Sequence, residues 1–378
     1  MDDRISSLPN HILSHILSFL PTEDVYATSF LSKRWIPLRL LVKNLDIDDQ
    51  RNVTSGKSLS AFKQMIHATL FALTTEHKFI QKIHIKCDYA NSHGLEYSLL
   101  KNSLTAAAEH GMEHLDLSLM KYNPCFIFSF RTLVVLKLKE LSFQHFSNAV
   151  ELASLKILHV FRVNIKRCGY LAKLLDGCPI LEDFEIKDLI STCWSCSQEF
   201  KKLSRLVRAN IIQRQGCHDI PPLHILCNVE FLRLETILIH VSGDKIPIFV
   251  NLTHFELFYD GLVDFDWDMI NGLLENCPNL QNFLIDKTQC DISDEELRRD
   301  PFVPKCISLQ LRKCTITNFN RYDLEFVKYI MQQNSACLRS MTLYIQPSID
   351  EDPFDKLEIL NGLLSSVEIS PTCKFIFI

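Results

Sequence analysis

Residues 174–186 read LLDGCPILEDFEI, and residues 273–285 read LLENCPNLQNFLI. Leu, Leu, Cys, Pro, Leu, Phe and Ile fall in register between the two. Each reads as the end of a short apolar helix, a Cys-Pro turn and then a strand. Proline ends a helix because it lacks the N–H and its ring crowds the preceding turn. The tails of the two segments, Leu181/Phe184/Ile186 and Leu280/Phe283/Ile285, share the form apolar-x-x-apolar-x-apolar. The last two members of each lie two apart, the spacing that puts side chains on one face of a strand.

Working outward, the same form recurs along most of the chain. On the N-terminal side it is carried by Val42/Leu45/Ile47, Ile80/Ile83/Ile85, Met112/Leu115/Leu117, Leu133/Leu136/Leu138 and Leu155/Leu158/Val160. Between the duplicated segments stand Leu206/Ala209/Ile211, Val229/Leu232/Leu234 and Leu252/Phe255/Leu257. Cys306/Leu309/Leu311 and Leu338/Met341/Leu343 follow. From position 117 to position 311 the triplets end 21 to 28 residues apart, within the leucine-rich-repeat period of roughly 20–29. The outer steps are longer, so the terminal units are expected to be irregular. The asparagine usual at the third residue after the strand is mostly absent: Leu141, Val163 and Leu189 stand there, and only Cys314 fits the cysteine form. The turns must then satisfy their backbone groups by other means. Helical periodicity lies between the triplets at Tyr97–His110, Gly169–Asp176, Trp267–Glu275 and Asp323–Gln333. The expected fold is α/β, an irregular solenoid with a parallel inner sheet, helices outside and an extended face for binding.

Composition narrows the function. The chain has 378 residues, 47% of them apolar, which is enough to bury a large core. Net charge is −5, without the basic footprint of a nucleic-acid binder. Only 10 glycines occur, with no G-x-G-x-x-G and no Walker-type loop. The first residues, MDDRISSLPNHILSHILSFLP, have the wrong order and polarity for a signal peptide. No run of 18 apolar residues suggests a membrane span. The sequons Asn52-Val53-Thr54 and Asn251-Leu252-Thr253 therefore read as chance, and the 14 cysteines as reduced small hydrophobes. A cytoplasmic or nuclear location is expected.

Residues 1–41 do not fit the repeat and read as three short helices. Pro9 suits the first position of a helix carrying Ile12, Leu13, Ile16, Leu17 and Leu20. Pro21 ends it, Thr22 is expected to cap a second helix, and Ser32 a third turn at Lys33-Arg34-Trp35. An apolar stripe this wide on so short a segment calls for something to bury it. The string LPNHILSHILSFLPTEDVYATSFLSKRW resembles the F-box, with its Leu-Pro, paired Ile-Leu and Leu-Ser-Lys-Arg-Trp elements. The following IPLRLLVKNLDIDD looks like the linker into the first repeat of plant F-box/leucine-rich-repeat proteins. VPKCISLQLRKCTITNF, LEFVKYIMQQNSACLRSMTLYI and the terminal CKFIFI resemble the FBD module of the same group. The expected division is 1–42 for the F-box, 43–300 for the repeats and 301–378 for the FBD-like repeats and cap.

That resemblance implies a substrate-recognition subunit of an SCF-type cullin–RING ubiquitin ligase. Leu8, Pro9, Ile12, Leu13, Ile16, Leu17, Leu31 and Trp35 would contact a Skp-type adaptor, and the repeats would hold a target protein. The alternative is a repeat scaffold that never engages a ligase, its N-terminal helices serving only as a cap. No catalytic, cofactor or metal residues are expected, nor a nucleic-acid or membrane partner. The one C-x-x-C, Cys193-Trp194-Ser195-Cys196, lacks a thioredoxin-like setting and a second zinc half-site, Cys217-His218 being a poor substitute. Use of that pair by an enzyme is the third reading. His11 and His15 lie four apart on the first helix, and Lys201, Lys202, Arg205 and Arg208 read as a solvated helix face.

Overall fold

The computed structural model describes residues 5, 7–50, 59–75, 79–87, 96–120, 122–144, 149–166, 169–191, 200–212, 221–235, 246–259, 267–287, 310–319, 323–333, 337–344 and 373–377. Three short helices open the chain: α1 (Asn10–Leu17), α2 (Thr22–Thr28) and α3 (Trp35–Leu38). Strands and helices then alternate as β1 (Asn44–Asp48), α4 (Leu59–Thr75), β2 (Lys82–Cys87), α5 (Tyr97–Glu109) and β3 (His114–Leu119). Next come β4 (Val135–Lys139), β5 (Ser142–Phe143), β6 (Ile157–Phe161), β7 (Asn164–Ile165), α6 (Gly169–Asp176), β8 (Asp183–Lys187) and β9 (Ile190–Ser191). The remaining elements are β10 (Arg208–Ile212), β11 (Phe231–Glu235), β12 (His254–Phe258), α7 (Trp267–Glu275), β13 (Asn282–Asp286), β14 (Lys313–Thr317), α8 (Leu324–Gln333), β15 (Ser340–Leu343) and β16 (Lys374–Phe377).

The chain forms two compact units: Met1–Glu182 with Asp188–Lys201, and Asp183–Lys187 with Lys202–Ile378. In the first, the strands run parallel in the order β1-β2-β3-β4-β6. In the second, the parallel order is β8-β10-β11-β12-β13-β14-β15-β16. The last two residues of every expected triplet but one lie in these strands. In the first unit Leu45↔Ile83, Ile83↔Leu115, Leu115↔Leu136 and Leu136↔Leu158 pair in line. These residues are buried while their neighbours are half-buried or exposed, the alternation a sheet shows when one face packs and the other stays open.

The exception is a difference of register. β13 pairs with β14 through Phe283↔Cys314 and Ile285↔Ile316, so the triplet is Leu311/Cys314/Ile316 rather than Cys306/Leu309/Leu311. Two overlapping apolar patterns meet at Leu311, and pairing with β13 selects the later one. Residues 301–309 lie outside the described residues. Cys314 is accordingly a buried strand residue, not the cysteine form of the turn position. The helix α4 also goes beyond the sequence reading; Ile66, Leu70 and Leu73 form its buried side.

The turns show what replaces the missing asparagine. Glu140, Arg162 and Asp188 have φ of 58°, 48° and 51°, and each precedes a buried apolar residue: Leu141, Val163 and Leu189. Asn318 (φ 51°) and buried Phe319 repeat the device in the second unit. A left-handed conformation costs a residue with a Cβ about 1–2 kcal/mol. In the first unit a second parallel ladder, β5-β7-β9, offsets that cost. Asn164 N donates to Leu141 O at 2.8 Å, and Ile190 N to Val163 O at 2.9 Å. Backbone pairing thus satisfies the groups that a side-chain ladder would otherwise meet.

The duplicated segments fold alike. Cys178 Sγ donates to Leu174 O at 3.1 Å and Cys277 Sγ to Leu273 O at 3.3 Å. Burial pushes the Cys178 and Cys314 thiols up to about 12, as expected of small apolar packing residues. The basic run is not a helix face. Lys201, Lys202 and Arg205 lie on the turn segment before β10, where Leu203 and Leu206 turn inward, and Arg208 opens the strand.

Candidate functional site: an apolar face on the N-terminal helices

The sequence places one broad apolar stripe on α1, and the structure divides it. Leu13 and Leu17, four apart, are both 0% exposed. They join Val25, Trp35, Leu38 and Val42 in one cluster, with Leu8 half-buried against it. Ile12 and Ile16 sit one position earlier, about 100° round the helix, and are 37% and 42% exposed. Phe19 and Leu20 continue their stripe, and both are exposed. Phe30 is 92% exposed, and Ile5, Leu31, Ile36 and Leu41 are exposed as well.

Of the eight residues expected at an adaptor contact, Pro9, Ile12, Ile16 and Leu31 therefore stand in solvent. Leu8 straddles the edge. Leu13, Leu17 and Trp35 stand differently: they pack inward, at 0%, 0% and 7% exposed, and hold the exposed residues in place. Sequence reasoning missed Phe19, Phe30, Ile36 and Leu41. Phe19 and Phe30 were legible as large apolar residues next to helix ends, but not their direction.

Three polar contacts set the geometry of this face. Arg34 donates through Nη2 to Leu8 O at 2.5 Å and to Asn10 Oδ1 at 2.8 Å, and through Nε to Asn10 Oδ1 at 3.1 Å. It closes the start of α1 against α3. Pro9 is the residue before the helix rather than its first, with ψ of 151°. Thr22 does not cap α2. It is the buried first residue, and its Oγ1 accepts from Asp46 N of β1 at 2.8 Å. Asn44 Nδ2 donates to Ser18 O at 3.2 Å, so β1 holds both α1 and α2. Ser32 likewise makes no side-chain cap; its carbonyl accepts from Trp35 N at 3.0 Å.

The open face of the sheet is the second candidate surface. In the first unit it carries a row of paired groups. His84 Nδ1 lies 2.6 Å from Asp46 Oδ1, and Lys139 Nζ lies 3.5 Å from Asp116 Oδ1. A cavity of about 270 Å³ opens between β2, β3, β4 and β6. In the second unit planar groups stack. The Arg208 guanidinium lies 3.9 Å from the centre of the Phe231 ring, Arg233 lies 4.0 Å from that of Phe258, and Asn282 Nδ2 is 2.8 Å from His254 Nε2.

Among the described residues no three His, Cys, Asp or Glu side chains gather as metal ligands, and no helix is long and apolar enough to cross a membrane. His11 and His15 are both exposed. Cys193, Cys196, Cys217 and His218 lie outside the described residues.

Comparison with known proteins bears on these surfaces. The F-box domain family matches residues 5–36, the Leucine Rich Repeat family residues 154–179, and the FBD family residues 300–343. F-box/LRR-repeat protein At3g59200 of Arabidopsis thaliana is 36% identical, over 98% of this chain and 87% of that protein. F-box/FBD/LRR-repeat protein At4g26340 of the same plant is 28% identical, over 99% of this chain and 100% of that one. F-box/LRR-repeat protein At4g14096 is also 28% identical, over 98% and 94%. The F-box match falls on the helices with the exposed apolar face, the similarity runs from end to end, and the chain belongs to the plant F-box/FBD/LRR-repeat protein family.

Proposed function

We propose that this protein is the substrate-recognition subunit of an SCF-type cullin–RING ubiquitin ligase. Its N-terminal helices dock a Skp-type adaptor, and its repeats bind a target protein. The observation that carries the reading is the stripe Ile12, Ile16, Phe19 and Leu20, left in solvent along α1 and the turn after it, while Leu13 and Leu17 on the other side are fully packed. Large apolar side chains gathered in one exposed segment mark a partner site, and aromatic residues such as Phe19 and Phe30 are effective anchors. The protein itself performs no bond chemistry. It tethers the target close to the ubiquitin-carrying partner and raises its effective concentration. The functional division follows 1–42, 43–300 and 301–378, in the cytoplasm or nucleus.

Co-purification with a Skp adaptor tests this. The informative variant is Ile12→Asp with Ile16→Asp, because both sites are exposed and the fold is expected to survive. Changing Leu13 and Leu17 to Asp instead puts charge into the packed cluster and cannot separate docking from folding. Capture of the native chain and loss in the Ile12/Ile16 variant, with unchanged circular dichroism, supports the receptor reading. Failure of the native chain to bind any adaptor favours the ligase-independent scaffold. The bonds from β1 to α1 and α2 fit a cap on the first repeat, and capping the array with the inner side leaves the outer side free for docking.

A further inference from the structure

The cavity of about 270 Å³ on the open face of the first unit has a chemistry of its own. The sheet register generates it. Lys82, His114, Val135 and Ile157 are direct partners along one row of β2, β3, β4 and β6. Asp116, Lys137 and His159 are partners along the next row. Residues two apart on a strand share a face, so both rows border the same hollow.

Among the described residues, two cations in it are uncommitted. Among the described residues, neither Lys82 nor Lys137 has a carboxylate within ion-pair distance. The one carboxylate in the lining, Asp116, is met by Lys139, which stands outside the cavity. His114 and His159 each bring at least one ring N–H in either neutral tautomer. On the Ile157 side the wall is apolar: Val135 and Ile157 are paired neighbours, both half-buried, on a face otherwise carrying polar groups here. A volume near the lower end of ordinary ligand pockets, about 300–1,000 Å³, suits one compact group rather than a long ligand.

We propose that this pocket is a recognition subsite for a single anionic group, carboxylate or phosphate, carried on a compact apolar body. Lys82 and Lys137 receive the anion, and the apolar body lies over Val135 and Ile157. The proposal rests on the reading of the repeats as the recognition half and gives that half a ligand chemistry. The carrier is either a free small acid or an acidic side chain beside an apolar one on the target. Both present the same group.

The test is calorimetric and ligand-observed titration of the full chain with benzoate, benzamide and benzylamine, three probes of one shape that differ in charge. Benzoate is expected to bind saturably and at least tenfold more tightly than the other two. Lys82→Met and Lys137→Met each weaken it roughly tenfold, about 1.4 kcal/mol, without lowering the thermal unfolding midpoint. Asp116→Asn strengthens it, because a like charge is removed. A capped peptide with Glu beside Phe, run against benzoate, separates the two carriers: competition by the peptide with equal or greater affinity assigns the pocket to a protein partner, and binding of benzoate alone assigns it to a small acid. Equal binding of benzamide, preference for benzylamine, absence of saturable binding, or indifference to both lysine changes overturns the proposal. Adaptor capture is measured on the same samples. If it persists while benzoate fails, the subsite is lost and the receptor reading stands.

Discussion

In the strands of the repeats, apolar side chains at the triplet positions are packed away: Ile83, Leu136, Phe184, Leu257 and Ile285 leave almost nothing to solvent. In the N-terminal helices, residues of the same kind divide in half, with Leu13 and Leu17 inside and Ile12, Ile16, Phe19 and Phe30 outside. Composition is similar in the two regions; what differs is the supply of matching surface. Each strand has a neighbour in line with it, and its triplet side is buried. The three helices have one small cluster, Leu13, Leu17, Val25, Trp35, Leu38 and Val42, and α2 is tied to β1 by the bond from Asp46 N to Thr22. The surplus stays in water, and that surplus is the reason for assigning docking to this end.

That contrast can be broken by separating stability from docking. The largest expected effect is in the second unit, where Lys287 and Asp323 are fully buried and hydrogen-bond to each other. Asp323→Ala strands a charge in the core and is expected to cost about 3–5 kcal/mol, seen as a lower midpoint in chemical denaturation, while adaptor capture persists. Leu17→Ala cuts the closed cluster and is expected to cost about 2–5 kcal/mol; here docking and stability should fall together. Gly177→Ala is next. A Cβ there would meet Val150 Cγ1 at 2.4 Å and its carbonyl oxygen at 2.7 Å, an overlap worth about 1–3 kcal/mol that should leave adaptor binding intact. The Ile12→Ala, Ile16→Ala pair should change stability by less than about 0.5 kcal/mol per site yet sharply weaken capture. If stability fell as far as for Leu17→Ala, the outer side would be part of the core and the contrast would fail.

The last prediction concerns pH. The Cys178 and Cys314 thiols, raised by burial from an ordinary 9.0 to about 12, hold their protons longer in the folded chain than in the unfolded one. Between about pH 9 and 12 the unfolded state therefore binds fewer protons, and stability falls as pH rises through that window. Below it these thiols contribute nothing to the pH dependence. Replacing both with Ala should flatten the slope of unfolding free energy against pH above 9. An unchanged slope would mean that other groups dominate there.

Much of this was legible in the sequence because period and burial coincide. Leu181/Phe184/Ile186 and Leu280/Phe283/Ile285 could be read as strands since each triplet fills one side of one strand. The pattern misleads at Leu311, where two apolar series overlap and only pairing with β13 decides between them. Helix α4 is hidden in an unusually long step between triplets. Glu140 and Arg162 are not residue types that favour left-handed turns, unlike Asp188 and Asn318; at the first three the second ladder accompanies the turn. At the site the apolar stripe was plain, but not its division. Which half of α1 turns inward depends on Val25, Trp35, Leu38 and Val42 arriving from elsewhere in the chain.

The bonds from β1 to the helices have a mechanical meaning. Asp46 N holds Thr22, and Asn44 holds Ser18, so there is no slack tether between the helix cluster and the first strand. A joint bonded at both helices behaves as a weld, not a swivel. If the open face of that unit holds a target, the target is carried at a bearing set by the sheet, and any swing needed to reach a distant neighbour has to come from elsewhere.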